Sequence, residues 1–261
     1  MGGLTRTAPG LALFLAAACG PGRDPGLPQK AFLPVVVRSR IPGRVPWETR
    51  VELTNPGPSP IEVRLQRWPP DERQAEVETF GVGPNATRGI PLRIPLLPSI
   101  SSFLFESRSP FSVSAVVRDR HGDGPPPLVI PVLDPESLAR TGDTLRVGPL
   151  LSDPEHRSHI CFTFPATERG AVPFRVRTVV VGADGVRLGA WDQAVHGVPQ
   201  IFEDPWAFFD LRERQPLFVE VTLLGGTRGR NPVWGLWVYG IVTEIATNAS
   251  RFVETTVRRG N

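Results

Sequence analysis

The raw material for chemistry in this chain of 261 residues is small: two cysteines, four histidines and 26 acidic residues, spread without a dense cluster. Asp119-Arg-His121-Gly-Asp123 puts two carboxylates and an imidazole in one stretch, and His156 and His159 flank Arg157. Structural zinc wants about four well-placed N or S ligands, and calcium loops a longer array of oxygens. The stretch supplies too few, and Arg118, Arg120 and Arg157 would repel a cation. A solvated turn is therefore expected, with no metal and no other cofactor. For nucleophilic chemistry there is no G-x-S-x-G elbow, no H-E-x-x-H helix and no phosphate-cradling glycine loop. Gly225-Gly-Thr-Arg-Gly229 follows a strand-like run and precedes Pro232, so it reads as a plain loop. His159 and Cys161 stand two apart in an extended run, which aims both side chains at one face. That permits a Cys–His pair, yet a free cysteine in Ile160-Cys-Phe-Thr-Phe164 behaves more often as a small buried hydrophobe. No catalytic residue is assigned, and the chain is not expected to be an enzyme.

Aromatic residues offer the other chemistry, that of recognition. Trp191, Trp206, Phe208, Phe209, Trp234, Trp237 and Tyr239 crowd the second half. A central strand buried on both faces would account for Val233–Val242. Trp206, Phe208 and Phe209 lie between Pro205 and Asp210 in an expected loop. They are the candidate ligand-binding residues, for a protein or glycan partner, if that loop presents an apolar patch to solvent.

The segments that would position such residues are almost all strand-like. Glu48-Thr-Arg-Val-Glu-Leu-Thr54 and Ile61-Glu-Val-Arg-Leu-Gln-Arg-Trp68 alternate with period two, placing one face in a core and one in water. Asn55-Pro-Gly-Pro-Ser-Pro60 between them is turn chemistry, and the two strands are expected to pair like a hairpin. Further strands are expected over Phe32–Arg38, Glu76–Val82, Leu92–Leu97, Phe103–Glu106, Phe111–Arg118, Leu128–Leu133, Thr144–Val147, His159–Phe164, Phe174–Val181, Leu217–Leu224, Val233–Glu244 and Arg251–Val257. Ala183-Asp-Gly185 is a hairpin turn signal. Helical signal is confined to single turns at Pro135–Ala139 and Trp206–Leu211.

An internal repeat emerges from these strands. Trp47–Asn55 aligns without gaps on His156–Phe164, with Val51 on Ile160, Leu53 on Phe162 and Thr54 on Thr163. Leu33-Pro-Val35 and Ile130-Pro-Val132 precede the two segments, and Val113–Arg118 and Trp234–Glu244 close the halves. The fold class is therefore all-β, as two tandem immunoglobulin-like β-sandwich domains over 31–127 and 128–258. The succession Leu33-Pro-Val…Trp47-Glu-Thr-Arg-Val-Glu-Leu-Thr-Asn55-Pro-Gly resembles a β-sandwich repeat of secreted bacterial envelope proteins of unassigned activity. Its members carry an aromatic-Arg-Thr strand followed by an Asn-Pro turn. Here Glu48 stands where Arg is usual, and the second copy lacks the Asn-Pro turn.

At the N-terminus, Arg6 precedes the apolar run Leu11–Ala18 and Cys19-Gly20 follows at once. A short basic region, a short apolar run and a small-residue cleavage site make a secretory signal peptide over 1–18. The run is well short of the roughly 20 residues that span a bilayer. Leu15-Ala-Ala-Ala-Cys19 resembles the lipobox of bacterial lipoproteins, which implies lipidation of Cys19 and a membrane partner through that anchor. Ala16-x-Ala18 also fits an ordinary cleavage site, which would leave a freely secreted protein. Without Asp after Cys19, the resemblance implies the outer membrane or cell surface. Residues 19–30 are a Pro/Gly-rich tether. With Cys19 acylated, Cys161 has no disulfide partner.

Composition fits an exported domain protein. Apolar residues are 40% and charged residues 21% of the chain, enough for a core and unlike a disordered segment. The net charge is only +3, from interspersed signs, and Lys30 is the sole lysine among 29 basic residues. No field suited to nucleic acid follows from that, and no nucleic-acid partner is expected. The chain thus reads as a non-catalytic envelope lipoprotein, a structural or binding module. The second reading is an exported hydrolase with an unconventional site on sandwich loops.

Overall fold

The computed structural model describes residues 29–38, 47–68, 77–92, 99–121, 124–163, 174–195, 200–226 and 235–260. The signal peptide, Cys19, the tether up to residue 28, Asp123, Trp234 and nearly all of the strand expected over Leu92–Leu97 lie outside them. The protein is all-β, with helix among the described residues limited to a 3-10 turn at Pro135–Ser137 and one α-turn, α1, at Pro205–Phe208. Both fall where single turns were expected.

The first half comprises β1 (Gln29–Arg38), β2 (Trp47–Asn55), β3 (Ile61–Trp68), β4 (Val77–Val82), β5 (Ala86–Ile90), β6 (Ser99–Ser107), β7 (Ser112–Asp119) and β8 (Leu128–Val129). They run in the order β4-β3-β6-β1 and β5-β2-β7-β8, joined only where Arg38 meets Glu48. The second half comprises β9 (Thr144–Leu150), β10 (His156–Thr163), β11 (Phe174–Gly182), β12 (Arg187–Val195), β13 (Gln200–Phe202), β14 (Leu217–Gly226), β15 (Trp237–Glu244), β16 (Ser250–Val253) and β17 (Thr255–Arg258). Its sheets are β12-β11-β14-β9-β17 and β13-β10-β15-β16.

Adding eight to each strand number of the first half reproduces the order of the second. The gapless match of Trp47–Asn55 on His156–Phe164 therefore falls on equivalent strands, β2 and β10. Pro34 and Pro149 also correspond. Each sits where the first strand of its half slips register against the sixth. The other proposed match fails. Ile130–Leu133 is no counterpart of β1 but runs beside it, with Phe32 and Leu133 exchanging backbone hydrogen bonds of 2.7 and 2.8 Å. Since β8 also pairs with β7, the first half extends to Leu133 rather than stopping at residue 127.

The immunoglobulin reading needs correction. That fold pairs its first strand with the second and its seventh with the sixth. Here β1 pairs with β6 and β7 with β2, so the first and seventh strands have exchanged sheets. The 8-stranded sheet, counted as the two runs joined at Arg38–Glu48, and the two sheets of the second half make a four-blade, propeller-like arrangement and not two immunoglobulin domains. Within each half, however, the connections cross between sheets instead of meandering. The expected β2–β3 hairpin is one casualty: Asn55–Pro60 carries the chain from one sheet to the other. Asn55 is fully buried there, donating from Nδ2 to the carbonyls of Ser59 and Gly83, both at 2.8 Å, while its Oδ1 accepts from Gly57 N–H at 2.9 Å.

Sheets pack face to face within each half, because alternate residues of every long strand are apolar and buried. The approach is close: a Cβ at Gly240 on β15 would lie 2.6 Å from Leu150 Cδ2 of β9. The halves also meet. Ser102 on β6 donates to the Pro34 carbonyl at 2.9 Å, so Thr163 on β10 must donate to Ser102 across the 2.8 Å hydroxyl contact. Both hydroxyls are buried, and one apolar core runs through both halves.

The C-terminus is held by a polar clamp. The Asp143 carboxylate accepts from Arg140 N–H and Gly260 N–H, each at 2.9 Å, and from Arg259 at 2.6 Å. Burial alone would raise this carboxyl, but the two backbone donors and the guanidinium outweigh it and hold it below 3.8. An acid depressed by folding adds stability above its unfolded pKa and loses it as pH falls through the folded value. Thermal melting between pH 2 and 7 should therefore decline below about pH 4, and Asp143→Asn should flatten that decline. An unchanged acid limb in the variant would remove the clamp from the account.

Candidate functional site

The three candidate aromatics do not share one environment. Asp204 caps α1, its Oδ1 accepting from Trp206 N–H at 3.1 Å and Ala207 N–H at 3.2 Å. Pro at the first helical position suits the fixed φ of the ring. Asp210, at φ +52°, ends the turn. This tight corner folds Trp206 and Phe209 inward, and both are buried. The Trp206 indole N–H donates to the Gln215 carbonyl at 3.1 Å, and Phe209 lies 5.0 Å from the Trp191 ring. These two residues are core, contrary to the expectation of a surface loop, because the corner has internal partners for both. Phe208 alone reaches solvent, at 38% exposure.

Phe208 does not stand alone there. It stacks on Phe202 of β13, with ring centroids 3.8 Å apart and planes 30° apart. Phe202 in turn meets Phe162 edge-on at 5.7 Å, which ties the surface pair to the core. β13 is a three-residue edge strand bonded to β10 on one side. Among the described residues no strand pairs with its other edge, and a free edge beside an exposed ring offers what a strand-adding or ring-stacking partner uses. Arg214 steadies the corner, donating to Asp204 Oδ2 at 2.6 Å and to the Ser152 hydroxyl. Burial and the Arg214 guanidinium act oppositely on Asp204, and the guanidinium with the cap N–H groups prevails, holding the carboxyl below its ordinary value. Phe202 and β13 were missing from the sequence reading. The only signal was Ile201-Phe202, too short a run to show a period.

The remaining constellations are engaged in local contacts. His159 and Cys161 do share a face of β10, but Cys161 is 1% exposed and its thiol meets the Phe162 carbonyl at 3.9 Å. Burial pushes the thiol up to about 12, with the Tyr239 hydroxyl opposing. Burial also lowers His159, Arg157 adding to the effect and Glu203 opposing it. A protonated thiol is a poor nucleophile. Native protein at pH 8 should therefore show essentially no alkylation of the Cys161 peptide by iodoacetamide, and full alkylation in denaturant. Rapid native labelling would reverse this assignment.

Asp153 and His156 form a pair at 2.9 Å, and this hydrogen bond lowers the aspartate. Neighbouring serines are engaged elsewhere. Ser152 accepts from Arg214, and Ser158 donates to the Leu151 carbonyl at 2.6 Å and accepts from its N–H at 2.8 Å. Asp119 is used locally, accepting from His121 N–H at 3.0 Å. Among the described residues, no group of three or more His, Cys, Asp or Glu could hold a metal ion, and no helix is long and apolar enough to cross a membrane. No family model and no curated protein matches this chain.

Proposed function

We propose that the protein is an exported, lipid-anchored envelope protein whose folded part is a non-catalytic binding module, docking a protein or glycan partner at the β13–α1 corner. The observation that carries this reading is the stacked Phe202–Phe208 pair, with Phe208 exposed beside a strand edge that no described strand pairs with. An exposed aromatic stacked on a partly buried neighbour that is itself packed on the core loses little side-chain entropy on binding, the economy typical of interface anchors. The N-terminal pattern around Leu15–Cys19 supports acylation, and the tether supplies reach from the outer membrane or cell surface. The two halves are read as tandem copies of one sandwich unit.

Two measurements test the proposal in the producing cell. Mass spectrometry of the mature N-terminus should find a lipidated Cys19. A chain still beginning at Met1 would overturn export, and an unmodified Cys19 at the mature terminus would leave a secreted protein without the anchor. A photo-crosslinking residue at position 208 should give a discrete adduct that Phe202→Ala abolishes, while the same probe at exposed Val129 should not. No adduct at 208, or equal adducts at both positions, would remove the corner as the docking point.

A further inference from the structure

The outer face of the five-stranded sheet carries an excess of arginine among the described residues. Period-two alternation turns Arg175 and Arg177 on β11, Arg146 on β9 and Arg258 on β17 to this face, all exposed. Asp192 and Glu220 are the acids opposite them. By contrast, the β2–β7 face sets Arg50 and Arg118 against Glu48 and Glu52, a balanced set. On the five-stranded face Arg177 is held by Asp192 through bonds of 2.8 and 2.9 Å, and Arg146 reaches Glu220 at 3.4 Å. Arg175 and Arg258 have no carboxylate hydrogen bond among the described residues, although Arg175 lies near enough to Asp192 to help lower it, so this face carries four guanidinium groups against two carboxylates.

The register places neutral hydroxyls between the charges. Arg177, Thr222, Thr144 and Arg258 are directly opposite one another across four strands. At the usual strand spacing this row is about 14 Å long. The Thr144 and Thr222 hydroxyls are bonded to each other at 2.8 Å, which leaves their remaining lone pairs and one hydrogen for an outside partner. A ligand matching this row must be extended and must carry both anionic groups and hydroxyls.

We propose that this face binds an acidic polysaccharide, the sugar hydroxyls meeting the threonine row and the carboxylates or sulfates meeting Arg175 and Arg258. Single-stranded nucleic acid would want exposed rings for its bases. The aromatic ring of this face, Phe218, is instead capped by the Arg146 guanidinium at 4.5 Å. An anionic bilayer would want apolar residues to insert. Leu224 is the large apolar residue exposed on this face. The surface is separate from the β13–α1 corner, so the inference does not rest on that docking point.

The test uses the full chain and its Arg175→Gln/Arg258→Gln variant, two exposed positions without a carboxylate hydrogen bond among the described residues, with the melting temperature of the variant measured as the check on folding. Binding to polygalacturonate and dextran sulfate is compared with neutral dextran, DNA and anionic vesicles at 50 and 300 mM salt. The expected result is salt-sensitive binding to one or both acidic polysaccharides, weakened about tenfold or more in the variant. Preference between the two probes distinguishes a carboxylate from a sulfate partner. Phe208→Ala should leave this binding intact, so loss of the corner reading and loss of this one are separable. No binding to either acidic polysaccharide, equal binding by the variant, or tighter binding to DNA or vesicles would overturn the proposal.

Discussion

Trp206→Ala should lower the free energy of unfolding by about 3–5 kcal/mol, the range for deleting a large buried aromatic. Three features set the size of that effect. The side chain is 1% exposed, its indole N–H is bonded to the Gln215 carbonyl, and its neighbour Phe209 rests on Trp191. Truncation opens a cavity and strands the Gln215 carbonyl away from a donor. Chemical denaturation followed by circular dichroism would read the change, and a loss under about 1 kcal/mol would mean the corner is looser than its packing implies. Phe208→Ala, by comparison, should cost less stability, about 0.5–1.5 kcal/mol for the lost ring contacts, because its side chain is partly exposed. The pair of variants separates a residue that builds the corner from one that presents it.

Asn55→Ala should cost about 2–4 kcal/mol, since it removes several hydrogen bonds at once and leaves buried carbonyls without donors. The amide bridges residues remote in sequence, Ser59 on its own loop and Gly83 between β4 and β5. It also shapes the sheet-crossing turn through Gly57. Asn55→Asp gives a test with a defined sign. The new carboxyl would face two carbonyl oxygens, which disfavours its ionised form and raises its folded pKa above the unfolded value. The folded state then holds a proton longer than the unfolded one. Its stability should fall as pH rises from about 4 toward neutrality, the reverse of the Asp143 trend. Parallel melting curves for the variant and the parent across pH 4–8 would refute this account of the turn.

What the sequence discloses depends on whether the decisive contacts are local. β2 and β3 are legible because Val51, Leu53, Val63 and Leu65 are buried by their own alternation, and the Asp-Gly turn before β12 is legible for the same local reason. β12 itself escapes, since an edge strand such as Arg187–Val195 keeps half of each neighbour exposed and shows no apolar run. β5 escapes because only Ile90 is buried within it. The exchange of β1 and β7 between sheets has no local signature at all. It is fixed by β1 finding β6, a partner about seventy residues away. At the candidate corner, aromatic content singles out a segment of which one ring, Phe208, is exposed. Which ring faces water is decided by Gln215, Trp191 and Phe202, none of them adjacent, so two of the three residues proposed from sequence prove to be core.

The repeated strand order carries a hazard for folding that the sequences of the two halves offset. Because β2 and β10, or β7 and β15, fill equivalent slots, a strand from one half could in principle dock into the other and trap a misassembled chain. Divergence penalises that error. β15 is buried on both sides, with Trp237 and Tyr239 covered, whereas β7 turns Ser112, Ser114 and Val116 toward solvent. Swapping them would expose two large rings in one half and bury a serine row in the other. Phe162 likewise occupies the place of Leu53, so each core has its own volume to fill. Mutual dissimilarity of the copies is thus itself a folding instruction: each strand is marked for one of two otherwise identical positions.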